Sequence, residues 1–199
     1  MNMYLYNEIK FSYTPSSFEN IKKILHKKVN ENEMYTLLSD NRGFEAIIDT
    51  NNKSTPQVYN GDLKAIFFPC TTTSGTIMLS NIKDGWETLC FQLSNKSEYG
   101  FYIIRLDESN LNDSMNSLCY INNGDVIRIV YSMKDPRWKF YQKGDALWFE
   151  NKDYYNNRII SKRLNKKILT EYCNKLGLDI ENELFWSIDE SIIFQRNWK

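Results

Sequence analysis

Two pairs of carboxylates stand close enough in sequence to invite an acid–base reading: Asp84 with Glu87, and Asp107 with Glu108. A glycosidase needs two such groups held across a sugar cleft. The same spacing also suits structure. Asp84 has the position of a helix N-cap with Glu87 at the third helical residue, and Asp107-Glu108 closes an apolar run as turn acids do. His26 is the only histidine, so a two-histidine metal site is excluded. It lies in the run Lys22, Lys23, His26, Lys27, Lys28, which reads as a solvated helix face. Cys70, Cys90, Cys119 and Cys173 form no CxxC motif. Their apolar neighbours, such as Leu89 and Phe91 around Cys90, mark them as buried thiols acting as small hydrophobes in a reducing cytoplasm. No GxGxxG, GxxxxGK[ST] or GxSxG pattern occurs. The expectation is a chain with no catalytic residue, no metal and no cofactor.

Binding chemistry is better represented. Lys162, Arg163, Lys166 and Lys167 lie near Tyr154, Tyr155 and Tyr172, an aromatic and basic mixture that can stack and hold RNA. Glu150, Asp153 and Glu171 dilute that field, so a solvated helix face is the simpler account and no nucleic-acid partner is expected. The richest segment is Asp135-Pro136-Arg137-Trp138-Lys139-Phe140-Tyr141, followed by Trp148, Tyr154, Tyr155 and Arg158. Alternation sets Trp138 and Phe140 on one face and Arg137, Lys139 and Tyr141 on the other. Tyr, Trp and Arg are the residues that carry protein–protein hot spots. Tyr141, Tyr154 and Arg158 are therefore candidate partner contacts, with core packing the competing role for the aromatics. Asp107, Glu108, Asp113 and Asp125 are candidates for steering a basic partner, or plain turn residues.

The elements that must position these residues follow from periodicity. The chain has 199 residues, with 25 basic and 25 acidic side chains and 42% hydrophobic residues. That composition fits one packed domain with no strong net field. Residues 3–13 alternate as a strand. Ser16 with Glu19 forms a capping box for a helix over 17–29 carrying Phe18, Ile21, Leu25 and Val29. Short strands are expected at 34–39 and 44–49 around Asn41-Arg42-Gly43, then a polar loop over 50–62, a strand at 63–68 and another at 77–79. A helix is expected over 85–95 and a central strand over 99–106. Asn122-Asn123-Gly124-Asp125 joins strands 117–121 and 126–133, and Lys143-Gly144 joins 137–141 to 146–150. Asp153 caps a helix running to Arg163, and Asn165 caps another ending at Gly177. Apolar pieces at 183–186 and 192–194 dock on the body. The expected fold is α+β: a mostly antiparallel sheet with a hairpin meander, flanked by three to four helices. Residues 1–199 form a single domain, with a strand–helix–strand part over 1–70 and the meander and C-terminal helices over 71–199.

Asp84-Gly85-Trp86, then Asp135-Pro136-Arg137-Trp138-Lys139-Phe140, Gly144, Leu147, Phe149 and Glu150 carry a resemblance. Tyr154-Tyr155, Arg158, Arg163, Tyr172, Leu176-Gly177 and Phe185-Trp186 extend it. Over 84–186 the chain resembles small bacterial immunity proteins, which neutralise polymorphic or contact-delivered toxins; residues 1–80 are not covered. The resemblance implies a chain that binds a cognate toxin domain, with a standard-sized protein interface expected; a cytoplasmic location is expected as well, and a monomer is favoured with the oligomeric state open. It supplies no catalytic residue. Two rival readings come from the residues themselves. One is an enzyme with a cleft at Asp84, Arg105, Asp107 and Arg137. The other is a regulatory module that takes a peptide or small molecule along an exposed sheet edge. The N-terminus has no basic-then-apolar secretory signal, and no apolar run suits a membrane span.

Overall fold

The computed structural model describes residues 7–39, 63–82, 84–109 and 111–197. The expected residues 3–6, strand 44–49, its Asn41-Arg42-Gly43 turn and the 50–62 loop lie outside them. Among the described residues nine strands form one antiparallel sheet: β1 (Glu8–Thr14), β2 (Tyr35–Ser39), β3 (Leu63–Pro69), β4 (Thr76–Ser80), β5 (Phe101–Asp107), β6 (Met115–Asn122), β7 (Asp125–Asp135), β8 (Arg137–Lys143) and β9 (Ile192–Arg196). Their order is β2-β9-β3-β4-β1-β5-β6-β7-β8. Among the same residues three α-helices accompany them: α1 (Phe18–Glu31), α2 (Glu87–Ser94) and α3 (Lys166–Lys175). The fold is α+β with a β5–β8 meander.

The sheet has a core on each face, because period-2 alternation sends apolar residues both ways through its middle strands. On the front face Phe18, Ile21 and Leu25 of α1 and Leu89, Cys90 and Leu93 of α2 cover Phe67, Met78, Phe101, Ile103 and Phe194. On the back face Leu164, Ile168, Leu169, Tyr172 and Trp186 cover Phe11, Ile66, Phe68, Ile104, Leu118 and Val130. A row of stacked rings crosses the back of three adjacent strands. Tyr13 and Tyr102 are 6.1 Å apart, and Tyr102 and Tyr120 are 4.5 Å apart.

Several expected signals hold. His26 is exposed on α1. Asn165 caps α3 by accepting from the Ile168 amide, and Gly177 follows the helix at φ +81°. Asn123 (φ +49°) and Gly124 (φ +77°) make the two-residue β6–β7 turn, where both central residues need positive φ. The four cysteines are free thiols, Cys119 half-buried and the others buried.

Other expectations are corrected. The α1 N-cap is Ser17, whose hydroxyl accepts from the Asn20 amide; Ser16 is buried one residue earlier. Asp84 does not cap α2. Gly85 (φ +71°) and Trp86 (φ +53°) turn the chain left-handed ahead of the helix, so Asp84 accepts from the Trp86 amide. Glu87 is drawn to Lys10 at 2.7 Å instead. Asp153 does not cap a helix to Arg163. The Asn151 side chain accepts from the Asp153 amide, and two short 3₁₀ turns, Lys152–Asn156 and Ile160–Lys162, replace that helix. Residues 146–150 are not a strand paired through Lys143-Gly144. The partner of β8 is β7, joined through Pro136, and the chain after Gly144 (φ +81°) folds beneath the sheet. The apolar piece at 192–194 does more than dock: it is β9, lying between β2 and β3.

Candidate functional site

The meander is covered on its back, and on its front only over β5 and β6. On its back, Leu118, Arg128, Val130 and Ser132 are buried beneath the segment that follows Gly144. On its front, the sheet register builds three rows. Met115 lies beside Met133 and Lys139; Ser117 beside Tyr131 and Tyr141; Cys119 beside Ile129 and Lys143. α1 sits over β2 and β3, and α2 over β5 and β6. No described element sits over the front of β7 and β8. Met133, Tyr131 and Ile129 are half-buried, and Lys139, Tyr141 and Lys143 are exposed. The Tyr131 and Tyr141 rings stack 5.3 Å apart, with Tyr141 44% exposed. A stacked pair on a rigid sheet loses little side-chain freedom on binding, which is how tyrosine serves interfaces. Met115 and Met133 add adaptable apolar surface.

Behind this surface lies a closed polar network. Arg128 projects to the back from β7, and its guanidinium meets the Glu150 carboxylate at 2.7 Å. It also donates to the Gln142 side chain (3.0 Å) and the Gly144 carbonyl (2.9 Å). Glu150 accepts from the Leu147 amide (2.9 Å) and from the Tyr155 hydroxyl, which in turn accepts from Tyr172. Burial, then the hydrogen bonds to Glu150 and Tyr172, push the Tyr155 phenol far above its ordinary value. Phe149 is 1% exposed while Trp148 beside it is 76% exposed. The network therefore fixes a turn that shows one tryptophan to solvent.

The candidate residues fall in three places. Tyr141 belongs to the open front face. Tyr154 and Arg158 lie in the segment covering the back: the Tyr154 hydroxyl donates to Glu171 at 2.7 Å, and Arg158 is exposed. The structure does not bring Tyr141 together with either. Asp107 is 4% exposed, because the residues after β5 fold over it. Its carboxylate accepts from the Ser109 amide and hydroxyl and the Met115 amide, which removes it from the accessible surface. Glu108 is exposed and pairs with Lys166 at 3.2 Å. Asp125 is exposed at the β6–β7 turn, at the opposite end of the meander. The length of β6 separates the two acidic ends by about 25 Å.

The expected enzyme cleft is also dispersed. Arg105 and Asp107 are neighbours (3.8 Å), and Arg105 pairs with Glu8 at 2.8 Å. Arg137 lies in β8, three strands from β5, a distance of about 14 Å. In the basic cluster, Lys166 is buried against Glu108, and Arg163 donates to the Asn157 carbonyl and covers the Phe140 ring. A wide surface hollow of about 560 Å³ borders α3, lined by Lys167, Glu171, Lys175 and Glu181 among others. Among the described residues no group of three or more His, Cys, Asp or Glu is placed to hold a metal, and no helix is long and apolar enough to cross a membrane.

Sequence reasoning missed Arg128, Tyr131 and Met133. Arg128 had a visible signal, a lone cation inside the apolar run Val126-Ile127-Arg128-Ile129-Val130. A scan against models of protein families, a search of curated proteins and a search of solved structures each give no match.

Proposed function

We propose that this chain is a protein-binding module of the immunity type, which holds a cognate toxin domain on the open front of its meander and so neutralises it. The observation that carries the reading is the Tyr131–Tyr141 stack, with Tyr141 exposed and Tyr131, Met115, Met133 and Ile129 half-buried around it, on a sheet whose opposite face is closed. Rigid aromatic anchors amid adaptable apolar side chains are what a protein partner requires. The toxin as partner comes from the resemblance over 84–186.

The test is co-expression with the C-terminal domain of the neighbouring open reading frame, the candidate toxin. Growth rescued by the wild-type chain, with co-purification of the two proteins, supports neutralisation. Tyr141→Ala is expected to weaken both. Toxicity unaffected by the chain overturns the toxin assignment. Co-purification and rescue that ignore Tyr141, Tyr131 and Met133 substitutions overturn the meander as the binding surface.

A further inference from the structure

The open front is small. Three rows on three strands span about 10 by 14 Å, whereas a standard interface covers about 800 Å² on each partner. A partner seated there must extend beyond it, and the nearest continuation is β8. Among the described residues this strand pairs with β7 alone, so its outer edge offers a row of backbone donors and acceptors. The β7–β8 ladder runs from Asp135–Arg137 to Ile129–Lys143 with no register shift. By contrast, the β6–β7 ladder is bulged at Tyr120/Ile121. No proline or bulge interrupts β8. Its defence against edge pairing is charge: Arg137, Lys139 and Lys143 are exposed, and the strand holds no carboxylate.

That charge pattern selects the occupant. A second copy of the chain adding across a two-fold axis keeps each sheet face continuous, so opposed residues must share a face. Centring on Phe140 sets Arg137 opposite Lys143. Centring on Lys139 sets that lysine opposite itself, and centring on Tyr141 sets Lys139 opposite Lys143. Like charges directly opposed destabilise a pair. A strand with carboxylates at alternate positions turns all three repulsions into attractions. Between its acids, apolar residues would lie beside Trp138 and Phe140, both half-buried on the back face.

We infer that β8 accepts an extended segment of the partner protein, alternating acidic and apolar residues, as a tenth strand of the sheet. The inference rests on the protein-binding reading above and specifies how the partner engages. Main-chain bonds along the edge hold the segment, and Arg137, Lys139 and Lys143 read its acids.

The experiment uses the full chain and two fluorescein-labelled heptapeptides, one alternating Glu with Val and one alternating Lys with Val. The Glu peptide is expected to bind at least tenfold more tightly by anisotropy. It is also expected to slow amide exchange in β8. The triple variant Arg137→Glu, Lys139→Glu, Lys143→Glu should reverse the peptide preference, and Arg137→Glu alone should narrow it if the triple variant unfolds. A Glu peptide N-methylated at alternate residues, which blocks its pairing edge, should lose binding. Equal binding of the two peptides, preference unchanged by charge reversal, or binding without protection of β8 overturns the proposal. So does a β8-dependent dimer in sedimentation. If peptides fail while toxin co-purification still depends on Tyr141, strand addition falls alone; if both fail, the protein-binding reading falls with it.

Discussion

Arg128 and Glu150 form an ion pair closed to water, their side chains 1% and 0% exposed and 2.7 Å apart. Burial works against each charge, and the pair survives because the remaining polar atoms are also bonded, to Gln142, Gly144, Leu147 and Tyr155. The pair ties β7 to the chain passing beneath it.

Removing one member should therefore cost far more than removing both. Arg128→Met alone leaves a buried carboxylate uncompensated and is expected to destabilise by about 3–5 kcal/mol in urea denaturation. Arg128→Met with Glu150→Leu should recover most of that loss. A double variant as unstable as the single one would show that the network does more than neutralise its own charges.

Gly144 is the hinge on which this segment turns back. Its φ is +81°, and a Cβ there would stand 2.0 Å from the Ile127 carbonyl oxygen. Gly144→Ala is expected to destabilise by about 2 kcal/mol or more, from left-handed strain plus backbone displacement. Thermal unfolding checks it, with Gly177→Ala as a milder comparison whose Cβ would meet the Thr73 methyl at 3.0 Å.

Tyr141 should behave oppositely in stability and in binding. It is 44% exposed and its packing is the Tyr131 ring, so Tyr141→Ala should cost about 1 kcal/mol of stability at most. The same substitution should reduce partner capture at least tenfold. A variant that loses much stability and no binding would place Tyr141 in the scaffold.

The thiols of Cys90, buried, and Cys119, half-buried, should be inert. Burial pushes Cys90 and Cys119 up to about 12, against the 9.0 of an open thiol. At pH 8 their thiolate fraction falls about a thousandfold or more below that of a free cysteine. A disulfide-exchange reagent should titrate them slowly in the native chain and at once in denaturant. Rapid native reaction at Cys119 would mean that α2 lifts from β6.

Glu171 supplies a defined acid response. The Lys175 hydrogen bond and then the Tyr154 hydrogen bond hold its carboxyl below the ordinary 4.5. Its folded-state value is depressed, so its contribution is present above about 4.5 and is lost as pH falls through the folded value. The stability gap between wild type and Glu171→Gln should be constant well above the ordinary 4.5 and shrink as the pH falls below it. A gap that widens on acidification would contradict the sign.

Much of the fold was legible because it rests on local rules. The Asn123-Gly124 turn, the Asn165 cap and the split of Trp138 and Phe140 from Lys139 and Tyr141 each depend on a few neighbouring residues. The expected 146–150 strand failed for a long-range reason. The pull of Arg128 on Glu150, across β8, outweighs the local alternation of Leu147, Phe149 and their neighbours. Tyr131 and Met133 escaped notice because exposure on a sheet face depends on which helices lie above it. Asp107 read as a surface acid because turn acids usually are, and only the bonds to it from Ser109, Met115 and Asn116 show otherwise.

β9 carries a consequence for the making of this protein. It pairs with β2 on one side and β3 on the other, so Leu63 lies beside Arg196 across about 130 residues of chain. While a ribosome is still reading the stretch before Ile192, β2 and β3 have no strand between them, and Phe67 lacks its finished cover. The sheet is thus fastened by a late-made strand near its opposite edge from the meander, and the β3 edge stays open in the nascent chain until residues 192–196 emerge.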